Sequence, residues 1–317
     1  MSRVAEVATV RTKAAGARKV RLGRWAGPVL VTPMAFWMLA FFLVPLFLIL
    51  VYSFGYMGVY DRNVNLTLHT VMTTEKIAYS VQSFHWYREI VTNNIYWKAF
   101  WRTAVMVFGN TVGCLLLGYP LAYFISRKTG RRKTLFLLMV MIPFWTSFLI
   151  RTYSWMTVLG DQGLLNTFLE KIGLVSASNP LHLWPSSTAV WIALIYDYLP
   201  FMVLPLFVSI EKIDRSLFEA SKDLGAGKWT TFRRVTLPLS LPGIMAGCML
   251  VAIPTTGEFV IPAIAGGDKV VVWGWLIYQN FTRPGMWPLG AALSNILLLV
   301  MLVVVALYVR SVGTEEF

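Results

Sequence analysis

Residues 219–238 carry the pattern of residue types that is easiest to connect with a function. The segment reads Glu-Ala-x-x-x-x-Gly, then nine residues, then Val-x-Leu-Pro. Ser216 and Glu219 have the spacing of a capping box, in which two side chains satisfy the free amides at a helix start. Gly225 stands where a helix ends through a residue with positive φ. The sequence therefore predicts a short amphipathic helix that ends at Gly225.

A second basic segment follows this helix, and Leu237-Pro238 restarts the chain, since proline fits the first turn of a helix. The whole spacing resembles the signature of bacterial ABC importer permeases, in which a cytoplasmic loop docks into a groove on the ATPase. Ser221 stands where that family prefers Ala, and Val235 where it prefers Ile. The resemblance implies an ATPase-docking loop whose main residues are Glu219, Ala220, Gly225, Leu237 and Pro238. From the residues alone, an interfacial helix that only lies on lipid is the alternative.

The composition predicts an integral membrane protein of the all-α class. Hydrophobic residues make up 57% of the 317 residues and charged residues 14%, whereas soluble domains carry roughly 25% charged residues. A membrane helix needs about 20 apolar residues, and six stretches are long enough. They are 30–53, 100–126, 134–157, 187–210, 241–264 and 287–310, of which the third and fifth are interrupted by charges and prolines.

The net charge of +13 is a topology signal, because the Lys and Arg residues are unevenly distributed. Seven precede the first span and five lie in the 127–133 turn, whereas residues 158–186 contain only Lys171. Both termini and the docking loop are therefore predicted to be cytoplasmic, and no nucleic-acid partner is implied. We divide the chain into a basic tail (1–29), a six-helix permease domain (30–310) with the docking loop at 211–240, and a C-terminal tail (311–317).

Three further stretches resemble the permeases of spermidine/putrescine ABC importers. They are Ile-Pro-Phe-Trp-Thr-Ser-Phe-Leu-Ile-Arg-Thr-Tyr-Ser-Trp at 142–155, Leu-Pro-Phe-Met-Val-Leu-Pro at 199–205 and Gly-Glu-Phe-Val-Ile-Pro at 257–262. The resemblance implies type I importer architecture in the bacterial inner membrane. Its partners would be a second homologous permease, an ATPase dimer, a periplasmic substrate-binding protein and membrane lipid. It also implies that ATP and Mg²⁺ bind to the ATPase and that this chain is not an enzyme and holds no cofactor.

Three ionisable residues lie in the predicted spans and suggest how a polyamine could cross. They are Arg151, Asp197 and Glu258. Ionised groups at bilayer depth are costly and usually face a cavity or a partner. Arg151 and Glu258 have similar predicted depth and could form a structural ion pair instead. A path for a polycation needs carboxylates and aromatic faces. The path candidates are Asp197, Glu258, Tyr198, Trp145 and Trp155.

Other function classes remain as alternatives at this point. The chain could be an ABC permease for another small organic cation or an opine-like solute, or an ion-coupled secondary transporter. A membrane enzyme would need a clustered catalytic set, which the sequence lacks. His69, His85 and His182 have no metal-ligand spacing, so we expect no metal site. We expect Cys114 and Cys248 to be small buried side chains without a disulfide.

Overall fold

The computed structural model describes residues 26–55, 70–73, 76–79, 84–176 and 179–312. Residues 1–48 and 49–317 form two compact units. Most of the predicted N-terminal tail, His69 and the last five residues lie outside the described residues.

The described part of the first unit is apolar and helical. Helix α1 (Ala26–Met38) leads through a five-residue π-helical turn (Leu39–Leu43) into α2 (Val44–Tyr52), which continues into the second unit. Large side chains such as Phe36 and Trp37 are exposed along it. An apolar surface of this kind suits contact with lipid.

The second unit contains the remaining helices. They are α3 (His85–Thr92), α4 (Asn94–Ser126), α5 (Gly130–Met141), α6 (Phe148–Leu159), α7 (Leu164–Lys171), α8 (Ser187–Glu211), α9 (Arg215–Asp223), α10 (Lys228–Thr231), α11 (Leu237–Leu239), α12 (Leu241–Gly257), α13 (Val260–Ala265), α14 (Trp273–Thr282) and α15 (Trp287–Val312). Short 3₁₀ segments at Ile142–Trp145 and Gly267–Lys269 and a π-helical segment at Phe232–Thr236 join some of them.

Four helical stretches of the described residues are long and apolar enough to cross a membrane. They are Thr32–Tyr52, Asn94–Ser126, Ser187–Glu211 and Trp287–Arg310. Two further pairs are bent, Gly130–Trp145 with Phe148–Lys171 by 94° and Lys228–Leu239 with Leu241–Gly257 by 63°. The described residues therefore contain four to six spans, depending on whether each bent pair counts as one. The bends fall in or beside the third and fifth predicted spans.

Helix α8 lies at the centre of the second unit and is packed closely on two sides. A Cβ added to Gly113 of α4 would come within 2.7 Å of the Ile195 side chain on α8, and Gly109 faces the Trp191 ring. On the other side, a Cβ at Gly247 of α12 would come within 2.7 Å of the Met202 sulfur. Small residues let membrane helices approach this closely. Hence the two neighbouring helices hold α8 and its polar residues in place.

The segment between the first two spans differs in part from the all-α class predicted from the composition. It contains α3, which agrees with that class. The structure also contains an antiparallel hairpin, β1 (Thr70–Thr73) and β2 (Lys76–Tyr79), with Thr70 paired to Tyr79. The hairpin was not predicted, because its two strands have only four residues each and show no extended alternation.

Candidate functional site

Two helix breaks lie next to consecutive residues of α8. The first break lies at Thr146 and Ser147, which are extended and separate the 3₁₀ turn from α6. The second lies at Glu258, which is extended and separates α12 from α13. Asp197 of α8 contacts the first broken span and Tyr198 contacts the second. Adjacent residues of one central helix thus bind both breaks.

Arg151 at the first break pairs with Asp197. Its Nε lies 2.9 Å from Asp197 Oδ1, and the two side chains are 10% and 3% exposed. The geometry is that of an ion pair without a well-aligned hydrogen bond, so neither oxygen of Asp197 accepts a hydrogen bond from the described residues. Arg151 Nη1 also donates to the Pro143 carbonyl at 2.7 Å, and the guanidinium lies 5.1 Å from the centre of the Phe144 ring.

The predicted ion pair between Arg151 and Glu258 is therefore wrong. Similar depth along two spans does not fix which side each residue faces. The guanidinium instead pairs with Asp197 on α8. Removing one member of a buried pair leaves an uncompensated charge and costs about 3–5 kcal/mol. This pair thus contributes to holding the first broken span against α8.

Glu258 caps the second break and remains half-buried. Its Oε1 accepts from the backbone N–H groups of Val260 and Ile261 at 2.8 and 3.2 Å, at the start of α13. A carboxylate at a helix start is favourable, because the free N–H groups carry partial positive charge. Tyr198 donates its hydroxyl to Oε2 at 3.0 Å. No cation lies within ion-pair distance of Glu258 among the described residues.

A ladder of aromatic rings begins beside Glu258. Phe259 stacks on Tyr278 at 5.0 Å between ring centres, and Tyr278 stacks on Trp275 at 5.4 Å. Helix α14 reaches this position because Gly274 leaves room, since a Cβ there would come within 2.8 Å of the Gly257 carbonyl. These rings are not among the path candidates predicted from the sequence. The aromatic run around Trp275 was their only sequence signal, and the contact depends on the break at Glu258.

The two predicted tryptophans lie elsewhere. Trp145 is 77% exposed at the first break, and Trp155 packs edge-to-face with Tyr196 at 5.3 Å. The described contacts bring neither ring to Glu258. Three residues before Glu258, Thr255 accepts a hydrogen bond from Asn110 at 2.9 Å, in a buried contact between α4 and α12. The polar groups that the structure brings together are thus Asp197, Tyr198 and Glu258.

Helix α9 coincides with the predicted amphipathic helix, but its start differs. The predicted capping box at Ser216 and Glu219 is wrong, because Asp214 is the N-cap and accepts from the Ser216 N–H at 2.9 Å. This backbone hydrogen bond holds the pKa of Asp214 below its usual value. The ionised Asp214 therefore stabilises the cap at pH values above the pKa of an Asp in the unfolded chain. This stabilisation is lost as the pH falls through the lower pKa that Asp214 has in the folded protein.

The end of α9 confirms the prediction that the helix ends at Gly225 through a positive φ. Its φ is +75°, its N–H bonds to the Lys222 carbonyl at 2.8 Å, and the Ala226 N–H bonds to the Ser221 carbonyl at 3.0 Å. This pair of hydrogen bonds is a Schellman motif. Nothing in the described residues lies within 4 Å of a Cβ added at Gly225. Only the backbone conformation therefore requires glycine there.

Helix α9 presents an apolar surface next to its charged residues. Leu217 is 44% exposed, Leu224 is 88% exposed and Trp229 in α10 is 72% exposed. Glu219 and Ala220 are also exposed. Exposed apolar side chains of this kind are typical of a surface that contacts a partner or lipid. Leu237 and Pro238 form α11 at the end of the continuous helical stretch Lys228–Leu239, and α12 begins after Ser240 at Leu241. The predicted helix start at Leu237 is therefore wrong.

Polar and aromatic contacts connect this surface to the spans. Ser221, which replaces the Ala preferred in the family, is buried and shares a 2.7 Å hydrogen bond with Thr231 between α9 and α10. The Arg127 guanidinium lies 4.5 Å from the centre of the Phe218 ring of α9. Tyr119 of α4 shares a 2.9 Å hydrogen bond with Ser240 and packs edge-to-face on Phe232. These contacts join α9 to α10 and to the C-cap of α4, and they join α4 to the segment that follows α10.

The described histidines form no cluster with other ligands. His182 lies 3.0 Å from Asp161, and His85 lies 3.8 Å from Glu89. No group of three His, Cys, Asp or Glu side chains among the described residues could hold a metal ion. Cys114 and Cys248 are free.

Comparison with known proteins identifies the family. The sequence profile of the binding-protein-dependent transport system inner membrane component family matches residues 14–312. The chain belongs to this family. It is 42% identical over 219 residues to the spermidine/putrescine transport system permease protein PotB of Haemophilus influenzae, covering 69% of this chain and 76% of the relative.

Solved structures agree on the fold. A bacterial ABC transporter that imports the acidic polysaccharide alginate matches with a TM-score of 0.69 at 16% identity, covering 92% of this chain and 96% of that one. The same kind of transporter in complex with its alginate-bound periplasmic protein matches with a TM-score of 0.68 at 17% identity, covering 90% and 93%. The chain is a multi-pass inner-membrane permease of an importer. Such a permease is not itself catalytic, because the ATPase is a separate subunit.

Proposed function

We propose that this permease translocates polyamines such as putrescine and spermidine, which a periplasmic binding protein delivers. The observation that carries the proposal is the half-buried Glu258 carboxylate, bonded to Tyr198 and flanked by the stacked rings of Phe259, Tyr278 and Trp275. A carboxylate supplies charge-assisted hydrogen bonds to an ammonium group, and aromatic faces attract cations. The same groups would repel an anionic substrate.

The names of similar proteins support the same substrate class. Relatives at 40–42% identity are named as spermidine/putrescine permeases. The alginate transporter shares the fold at 16% identity but is named for an acidic polysaccharide. Glu258 and its aromatic neighbours favour a cation over such an anion.

The proposed importer contains further subunits. A second homologous permease would complete the path, an ATPase dimer would bind ATP and Mg²⁺, and a periplasmic protein would deliver substrate. The exposed apolar surface of α9 around Leu217 and Leu224 is our candidate for the ATPase contact. We propose that the docking loop contains Glu219, Ala220, Gly225, Leu237 and Pro238. An ion-coupled secondary transporter would have no use for such a surface.

The proposed orientation follows from the Lys and Arg distribution. Both termini and α9 would be cytoplasmic, with the 30–310 domain in the membrane between a basic tail and a short C-terminal tail. In this orientation Glu258 lies in the outer half of its span. A polyamine released by the binding protein would then meet Glu258 before it reaches the inner half.

ATP-driven uptake by the reconstituted importer tests the proposal. The permease, its partner permease and the ATPase are placed in proteoliposomes with the binding protein, and radiolabelled putrescine and spermidine are supplied. We expect uptake of both that depends on ATP and on the binding protein. Uptake of a different organic cation or an opine-like solute, with neither polyamine transported, would refute the polyamine assignment.

A further inference from the structure

Asp197 is a buried carboxylate whose capacity to accept hydrogen bonds is unused. Its side chain is 3% exposed, and neither oxygen accepts a hydrogen bond from the described residues. An ionised carboxylate can accept about four hydrogen bonds, and buried polar groups normally have partners. Among the described residues, the nearby charge of Arg151 is the only one that compensates Asp197. Asp197 can therefore accept hydrogen bonds from additional N–H donors.

Arg151 has partners that do not depend on Asp197. The Pro143 carbonyl accepts from its Nη1 at 2.7 Å, and the Phe144 ring lies under the guanidinium. Both partners belong to the same broken span as Arg151 itself. The guanidinium could therefore release Asp197 and still keep a hydrogen bond and a cation–π contact.

The charges around the two breaks do not balance. One guanidinium faces two carboxylates, Asp197 and Glu258, which contact consecutive positions of α8 through the ion pair and the Tyr198 hydroxyl. No cation of the described residues therefore compensates the other carboxylate when Arg151 pairs with Asp197. A cation with two or more ammonium groups could compensate Glu258 and also compete for Asp197.

We propose that the Arg151 guanidinium is a tethered counter-ion, which occupies the Asp197 subsite until an ammonium group of the substrate displaces it. This inference rests on the proposed polyamine transport. An ammonium has three N–H donors, which suit the unfilled acceptor positions of Asp197. A monoamine can be compensated at Glu258 alone, whereas a polyamine can engage both carboxylates. Arg151 would thus favour polyamines and would return to Asp197 when the substrate leaves.

Spermidine binding to the purified permease–ATPase complex tests the tether. Arg151→Met removes the competitor and should tighten spermidine binding by about tenfold, because one charge-assisted contact is gained without displacement. Asp197→Asn removes the subsite and should weaken binding by a similar factor. Lys171→Met, at an exposed cation of α7, is the matched control and should bind as the wild type does.

A purely structural pair gives different results. Both single variants would then lower the amount of assembled complex but leave the affinity of the assembled fraction unchanged, and this would refute the tether. If Arg151→Met does not assemble, the double variant Arg151→Met with Asp197→Asn decides, because it leaves no unpaired charge. We expect it to bind spermidine more weakly than the wild type, and equal binding would overturn the proposal.

Uptake by the wild-type importer separates this inference from the proposed function. If the wild type takes up putrescine and spermidine while Arg151→Met has wild-type affinity, the tether fails and the proposed function stands. If the wild type takes up neither polyamine, the proposed function fails and the tether fails with it.

Discussion

Gly225→Ala should impair coupling through the backbone alone. Gly225 has a φ of +75°, and nothing in the described residues lies within 4 Å of an added Cβ. The substitution therefore introduces no clash, only the cost of about 1–2 kcal/mol for a left-handed conformation in a residue with a Cβ. That cost shifts the equilibrium constant between the capped and the uncapped helix end by roughly 5- to 30-fold toward the uncapped end.

A neighbouring glycine supplies the matched control. Gly227 has a φ of −70°, and a Cβ there also meets nothing within 4 Å. Gly227→Ala adds the same methyl group two residues away, at the N-cap of α10, without the cost of a left-handed φ. Gly225→Asn is a second control, since Asn tolerates the left-handed region better than other residues.

Two measurements report the effect. ATP-driven uptake is normalised to the amount of permease in the membrane, and recovery of the ATPase is measured with the tagged permease. We expect Gly225→Ala to lower uptake and ATPase recovery by up to roughly 30-fold, the upper limit set by its cost of about 1–2 kcal/mol. Gly225→Asn should be intermediate and Gly227→Ala near the wild type. Equal values for Gly225→Ala and Gly227→Ala would show that the Schellman end of α9 does not matter for docking.

Three further predictions concern topology, packing and the second break. In a variant without Cys114 and Cys248, cysteines at Ala15 and Gln162 should label oppositely with an impermeant reagent on intact cells; labelling of both would overturn the orientation. Gly113→Leu should reduce the amount of folded permease on quantitative membrane blots, since a Cβ already comes within 2.7 Å of the Ile195 side chain; unchanged amounts would contradict the packing. Tyr198→Phe removes one hydrogen bond to Glu258 and should lower uptake by a few-fold, about 1 kcal/mol; unchanged uptake would exclude a role for the hydroxyl.

Much of the helical framework could be predicted from the sequence, because long apolar stretches have few alternatives in a membrane. The fourth predicted span, 187–210, matches α8 (Ser187–Glu211) to one residue. Gly225 could be predicted as a helix end, because glycine has a specific conformational role there. The start of α9 was missed because Asp214, Ser216 and Glu219 offer competing caps, and the choice among them depends on the approach of the preceding chain.

The candidate site could be predicted only in part. Apolar composition and an isolated charge identify Asp197, Glu258 and Arg151 as unusual, but they do not show which pair meets. That depends on the 94° bend near Arg151 and on the rotation of α8. The aromatic ladder depends on the break at Glu258 and on the close approach of Gly274 in α14, and no local pattern encodes a contact between such distant segments.

Uptake of radiolabelled spermidine per assembled importer, compared between the wild type and Glu258→Gln, tests the central claim most directly. Gln retains an oxygen that can cap α13 but removes the negative charge, and Glu170→Gln at an exposed acid of α7 serves as the control. Loss of a charge-assisted contact worth about 1.5–3 kcal/mol predicts a decrease of roughly tenfold or more for Glu258→Gln, with the control near the wild type. Wild-type uptake by Glu258→Gln would contradict the account, because the carboxylate would then have no part in moving the cation.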